Sequence, residues 1–113
     1  MLELTKESFQ EEVLNARGLV FVDFYGDGCI PCSALRPSVE KLAEKYETFF
    51  KFTALNTSKA RRVAIGQKVL GLPVLAVYED GEMIRRLVAE EATAENMDKM
   101  LGEISGGSPY LTD

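Results

Sequence analysis

Two apolar runs, Leu19-Val20-Phe21-Val22 and Val74-Leu75-Ala76-Val77, set the frame for this chain. Each is rich in β-branched residues and reads as a buried strand, the first continuing to Tyr25 and the second to Tyr78. Neither approaches the length needed to span a bilayer. Between them the apolar spacing turns helical at Leu35, Val39, Leu42, Ala43 and Tyr46. Pro37 lies inside that pattern, so it must remove one backbone bond and bend the helix. Upstream, Leu2-Glu3-Leu4 suits a short edge strand, and Thr5 caps a predicted helix over roughly 6–16 that Gly18 stops. Another strand is predicted over 49–55, then a short helix over 58–68 with Ser58 as its cap. Asp80-Gly81 signals a hairpin turn into a return strand over 83–88. Thr93 caps a last helix bearing Met97, Met100, Leu101 and Ile104. The order β-α-β-α-β-α-β-β-α predicts a three-layer α/β/α sandwich. Its central sheet is mixed, with four to five strands, and about four helices cover it.

The 113 residues fit one domain, over 1–104, with a flexible tail over 105–113. A net charge of −5 argues against a nucleic-acid or anionic-membrane binder, because either needs a basic face. It suits a monomer. The N-terminus alternates in charge and has no apolar signal-peptide core, which gives a cytoplasmic address by default. There, disulfides are usually transient and redox-active.

Both cysteines fall in FYGDGCIPCSALRP, residues 24–37. Cys29 and Cys32 stand at i and i+3, on one face of a helix that begins between them and the first strand. A sulfur in the first turn lies near unpaired N–H groups and the positive end of the macrodipole. Such positions lower a thiol pKa from ~8.5 to ~3.5–7.5, favouring the reactive thiolate. Cys32, one turn inward, is placed to attack a mixed disulfide at Cys29. Pro31 pre-sets the helical φ where no N–H partner is needed. Reversible opening and closing of one disulfide, with no cofactor, follows from this arrangement. The alternatives are weaker. A zinc site wants four ligands and this chain has two Cys and no His. A structural disulfide over so short a loop constrains the unfolded chain little. Two inert core cysteines are the remaining reading.

Asp23 interrupts the first buried strand. A lone carboxylate there is costly unless used or paired, and burial raises its pKa toward the range useful for proton transfer. The bland alternative is a side chain that reaches solvent at the sheet's end.

At these residues the chain resembles the thioredoxin family, over about residues 4–104. TKESFQEEVLNARGLVFVDFYGDGCIPCSALRPSVEKLA is similar to the family's first helix, central strand and active-site helix. VLGLPVLAVYEDGE is similar to its cis-proline loop and hairpin. The resemblance implies a thioredoxin fold and a protein thiol–disulfide oxidoreductase with a variant G-C-I-P-C site. It implies Cys29 as nucleophile, Cys32 as resolving thiol and Asp23 as the buried carboxylate exchanging a proton with Cys32. It also implies a cis Leu72–Pro73 bond. The substrate groove would be formed by Gly28, Ile30, Pro31, Leu72, Pro73 and Ala89, with Leu72 pairing to an extended substrate segment. Protein disulfides are the implied substrates, and a flavoprotein of the thioredoxin-reductase type the implied source of electrons.

Five departures qualify the match. Gly28 and Tyr25 stand where the family usually has tryptophan. Ile30 replaces a glycine between the cysteines, and Ala89 replaces a groove glycine. Ala54 stands where a lysine typically neighbours the buried carboxylate. Gly28 is expected to leave Cys29 more open on a less rigid loop. Ile30 adds an apolar knob, and loss of the lysine should push the Asp23 pKa higher. Glycine before C-x-P-C is similar to variant members from some anaerobic bacteria. A second functional class remains open at this point: a redox-sensing or partner-binding module on the same fold.

Overall fold

The computed structural model describes residues 1–106. Five strands form one mixed sheet in the order β1-β3-β2-β4-β5. They are β1 (Leu2–Leu4), β2 (Leu19–Tyr25), β3 (Lys51–Asn56), β4 (Val74–Glu79) and β5 (Glu82–Val88). β3 runs parallel to both β1 and β2, while β4 is antiparallel to β2 and to β5. The helices are α1 (Ile30–Lys45), α2 (Arg61–Gly66) and α3 (Ala94–Gly106), besides a π-helical turn at Gln10–Leu14.

Side chains alternate across a strand with period two, so β2 feeds two cores. Val20, Val22 and Phe24 face one of them, with Phe9 and Val13 of the N-terminal segment and Ala64 of α2. Phe21 faces the other, with Val39 of α1 and Met97, Met100 and Leu101 of α3. Asp23 has the parity of Phe21. Its carboxylate is therefore delivered to the layer that holds α1, and it is 3% exposed.

The expected helix over 6–16 is shorter and wider. Thr5 and Ser8 exchange hydrogen bonds in both directions and close a turn ahead of it, while the helical segment itself starts after Phe9 with no side-chain cap. The chain then closes an i to i−5 bond from Asn15 N–H to the Gln10 carbonyl, at 2.8 Å. The Gln10 amide donates to Asn15 Oδ1 at 2.9 Å, which favours that wider turn. β3 starts two residues after the expected position. Phe49 is about half exposed, and its N–H closes back on the Tyr46 carbonyl. The helix expected over 58–68 is split. A 3-10 turn spans Thr57–Lys59, Ala60 leaves helical geometry, and α2 follows. Asn56, not Ser58, caps the 3-10 turn, accepting from Ser58 N–H. Thr93 caps α3 as expected, accepting from Asn96 N–H. That helix runs through Ser105 and Gly106, two residues read as tail. The rest of the expected tail, 107–113, lies outside the described residues.

The hairpin turn places Asp80 and Gly81 at φ +51° and +87°. Positive φ at both central residues is the two-residue turn that matches strand twist. Asp80 Oδ1 also accepts from Gly18 N–H at 2.7 Å, tying the hairpin tip to the start of β2. A Cβ at Gly81 would lie 2.2 Å from the Leu14 carbonyl oxygen. Gly81→Ala should therefore cost on the order of 2–4 kcal/mol, from backbone strain and overpacking together. Urea unfolding at neutral pH checks this; a loss below about 0.5 kcal/mol would contradict the packing described.

Candidate active site

β2 ends at Tyr25, and a tight turn leads into α1. Cys29 N–H donates to the Gly26 carbonyl at 3.3 Å. Gly28 has φ +73°, and a Cβ there would meet nothing within 4 Å. Glycine is thus demanded by backbone conformation, not by crowding. Two hydrogen bonds tie the loop that Gly28 belongs to back to the end of β3 and the segment after it. Asp27 N–H donates to Ser58 Oγ at 3.0 Å, and Asn56 Nδ2 donates to Asp27 Oδ1 at 2.9 Å.

Cys29 occupies the N-cap of α1 in extended conformation, and its Sγ accepts from Cys32 N–H at 3.3 Å. The role usually filled by a serine or aspartate oxygen is filled by sulfur. The Cys29 carbonyl accepts the first helical bond, from Ser33 N–H. Pro31 sits in the first turn, where its missing N–H costs nothing. Cys29 and Cys32 are joined as a disulfide with Cα atoms 5.3 Å apart. Cys29 is partly exposed, whereas Cys32 is 6% exposed. Ile30 stands out beside them at 79% exposure, the apolar knob expected of it.

Ala54 does lie opposite Asp23 in the β2–β3 register, so that position offers no cation. One comes instead from α1: Arg36 Nε lies 3.4 Å from Asp23 Oδ2. Sequence reasoning missed Arg36, although it follows Cys32 by one helical turn and so shares its face. The guanidinium also lies 4.8 Å from the centre of the Tyr25 ring. Tyr25 OH in turn donates to Glu3 at 2.5 Å. Tyr25, Cys32, Ser33 and Arg36 line a hollow of about 300 Å³ beside the disulfide.

Burial pushes the Asp23 pKa up to about 6. Arg36 opposes that rise and Glu3 adds to it. The direction agrees with the expectation from burial, but not with a carboxylate left without a cation.

The remaining expected groove positions approach from β4. The Leu72–Pro73 peptide is cis, as the resemblance implied. Pro73 is buried, and its carbonyl accepts from Ala89 N–H at 2.8 Å. Ala89 has φ +55°, a conformation that explains why glycine suits this position. Phe24 pairs with Val74, which sets the proline loop beside the exit of β2. Leu72 packs there: a Cβ at Gly26 would come within 2.9 Å of its Cδ1. Gly28, Ile30 and Pro31 thus line the start of α1, while Leu72, Pro73 and Ala89 gather on the β4 side.

The thioredoxin family model matches residues 1–103. The chain belongs to the thioredoxin family. It is 48% identical to a thioredoxin of Peptoclostridium acidaminophilum, over 94% of this chain and 96% of the relative. It is also 48% identical to a thioredoxin of Acetoanaerobium sticklandii, over 89% of this chain and 96% of that one. Identity to thioredoxin C-2 of Corynebacterium nephridii is 31%, over 78% of this chain and 82% of the relative. With its paired cysteines, this member of the thioredoxin family is a thiol–disulfide oxidoreductase. Among the described residues no helix is long and apolar enough to cross a membrane.

The Asp23 carboxyl gives a stability prediction with a definite sign. Its folded pKa, about 6, lies above the ordinary carboxyl value of 3.8, so the folded chain holds a proton that the unfolded chain releases. The corresponding stability is complete below about pH 3.8 and is lost as pH rises through about 6. The loss is on the order of 3 kcal/mol. Asp23→Asn should therefore be more stable than the unaltered chain by roughly that amount at pH 8, and nearly equal to it at pH 3.5. Urea unfolding at the two pH values checks both halves. Arg36→Ala should move the Asp23 midpoint above about 6, read by carboxyl NMR titration. An unmoved midpoint would remove Arg36 from the site.

Proposed function

We propose that this chain reduces protein disulfides, with Cys29 as nucleophile and Cys32 as resolving thiol. The hydrogen bond from Cys32 N–H to Cys29 Sγ supports this reading most directly. It sets a donor, at the positive end of α1, against the sulfur that must carry negative charge. In the reduced chain, the Cys29 thiolate attacks one sulfur of a substrate disulfide. A mixed disulfide forms and the substrate's other sulfur leaves as thiolate. Cys32 then loses its proton and attacks Cys29 Sγ. The second substrate thiolate leaves, and the Cys29–Cys32 bond forms again. Two electrons have passed to the substrate. A flavoprotein reductase of the thioredoxin-reductase type returns them.

Asp23 is proposed to take the Cys32 proton, through water. A base with pKa about 6 is largely ionised at neutral pH yet still basic enough to accept. Gly28, Ile30 and Pro31 on one side, with Leu72, Pro73 and Ala89 on the other, would hold the substrate segment. The chemistry needs one chain, in keeping with a monomer, and the reducing direction fits a cytoplasmic setting.

Cys32→Ser should accumulate a mixed disulfide with a generic protein substrate, seen by mass spectrometry and released by dithiothreitol. Cys29→Ser should accumulate none; equal trapping by both would reverse the assignment. Asp23→Asn should slow reduction about tenfold or more at pH 7. It should also erase a rate step centred near pH 6 in the unaltered chain. A rate profile identical in both proteins would take Asp23 out of the mechanism.

A further inference from the structure

The chain's charge is unevenly distributed. Between Thr48 and Tyr78 fall five of its thirteen cations and none of its eighteen acids. Lys51 pairs with Glu12. Among the described residues, the ion pairs present leave Lys59, Arg61, Arg62 and Lys68 without a carboxylate partner. All four are exposed. In their midst stand two of the most exposed large apolar side chains, Ile65 at 66% and Leu70 at 87%. Ser58, Arg61, Ile65 and Leu70 share a hollow of about 350 Å³.

This surface is held in shape. Lys68 has φ +60°, and Arg86 Nη1 donates to its carbonyl at 3.0 Å. Val69 N–H donates to the Ala64 carbonyl at 2.8 Å, and Tyr78 OH donates to Gln67 Oε1 at 2.6 Å. Leu70 is thus presented on a fixed backbone, which lowers the ordering cost of a contact. The patch also adjoins the reacting end of the molecule, because Ser58 is the residue that anchors Asp27 in the cysteine loop.

We propose that the α2 flank, with Arg61, Arg62 and Lys68 around Ile65 and Leu70, is a docking surface for an acidic, leucine-bearing segment of a partner protein. The charge selects the class. On a chain of net charge −5, this stretch is the longest run of cations unmixed with acids, so it favours acidic partners and orients them with the cysteines near the contact. The apolar pair supplies the buried centre that charges alone do not. This rests on the reading above that protein disulfides are the substrates, and it names which of them would be preferred.

The test uses two cysteine-free peptides, one alternating glutamate with leucine and its isomer with glutamine for glutamate. Titrated calorimetrically onto the oxidised full chain at low salt, the acidic peptide should bind about tenfold more tightly. It should shift the amide signals of Arg61, Ile65 and Leu70, and should lose the advantage at high salt. Arg61→Glu with Arg62→Glu should abolish the preference, and Leu70→Ser should weaken binding severalfold. Equal affinity for the two peptides on the unaltered chain overturns the proposal, as does a preference that maps to other residues. Reduction of a neutral disulfide substrate, followed separately, reports on the reductase reading, so failure of one is not mistaken for failure of the other.

Discussion

A sulfur atom stands where most helices place an oxygen. Cys29 Sγ accepts the N–H of Cys32, and much of the site is arranged to keep it there. β2 must end at the right height, which its six paired residues with β3 and with β4 ensure. Gly28 must take positive φ, and Asp27 must be anchored by Ser58 and Asn56. A neutral sulfur is a weak acceptor. An anionic one accepts more strongly from the same donor. The same donor is therefore better matched to a thiolate than to a disulfide sulfur.

The same geometry carries a cost at Asp23. Strand parity sends that carboxylate into the layer with Phe21, where ionising it is unfavourable. Arg36 offsets part of this and leaves a net upward shift. The cation comes from α1, the helix that also holds Cys32. Carboxylate polarity and resolving thiol are thus coupled through one rigid element. A lysine on β3 would have coupled the carboxylate to the sheet instead. Here, anything that tilts α1 alters thiol position and carboxylate basicity together.

Much of this was legible in the sequence. The runs ending at Tyr25 and Tyr78 gave the central strands, the turn at Asp80-Gly81 gave the hairpin, and Thr93 gave the cap of α3. What escaped were features set by partners distant in sequence or by competing local bonds. Asn56 takes the cap from Ser58 because the Ser58 hydroxyl is already engaged by Asp27. Gln10 and Asn15 bond to each other and widen a turn that periodicity alone draws as an α-helix. Arg36 was readable by helical spacing from Cys32. Spacing alone does not show that the cation for Asp23 comes from α1 and not from β3, because that contact is tertiary. The cis bond before Pro73 came through the family resemblance, since X–Pro sequence alone leaves trans the default.

A docking surface on α2, as proposed, would add to the groove beside the cysteines a recognition element that takes no part in the chemistry. The cysteine turn needs a donor-rich helix start and a buried base beside its share of the groove at Gly28, Ile30 and Pro31. α2 is free of that requirement. It packs Ala64 inward and turns Arg61, Arg62 and Ile65 outward, and Arg86 of β5 holds the following loop in place. Changes of charge on α2 leave the Asp23–Arg36 pair and the sulfur cap untouched, because neither shares a hydrogen bond or ion pair with those cations among the described residues. If α2 docks partners as proposed, partner choice can be altered there while the exchange reaction stays the same.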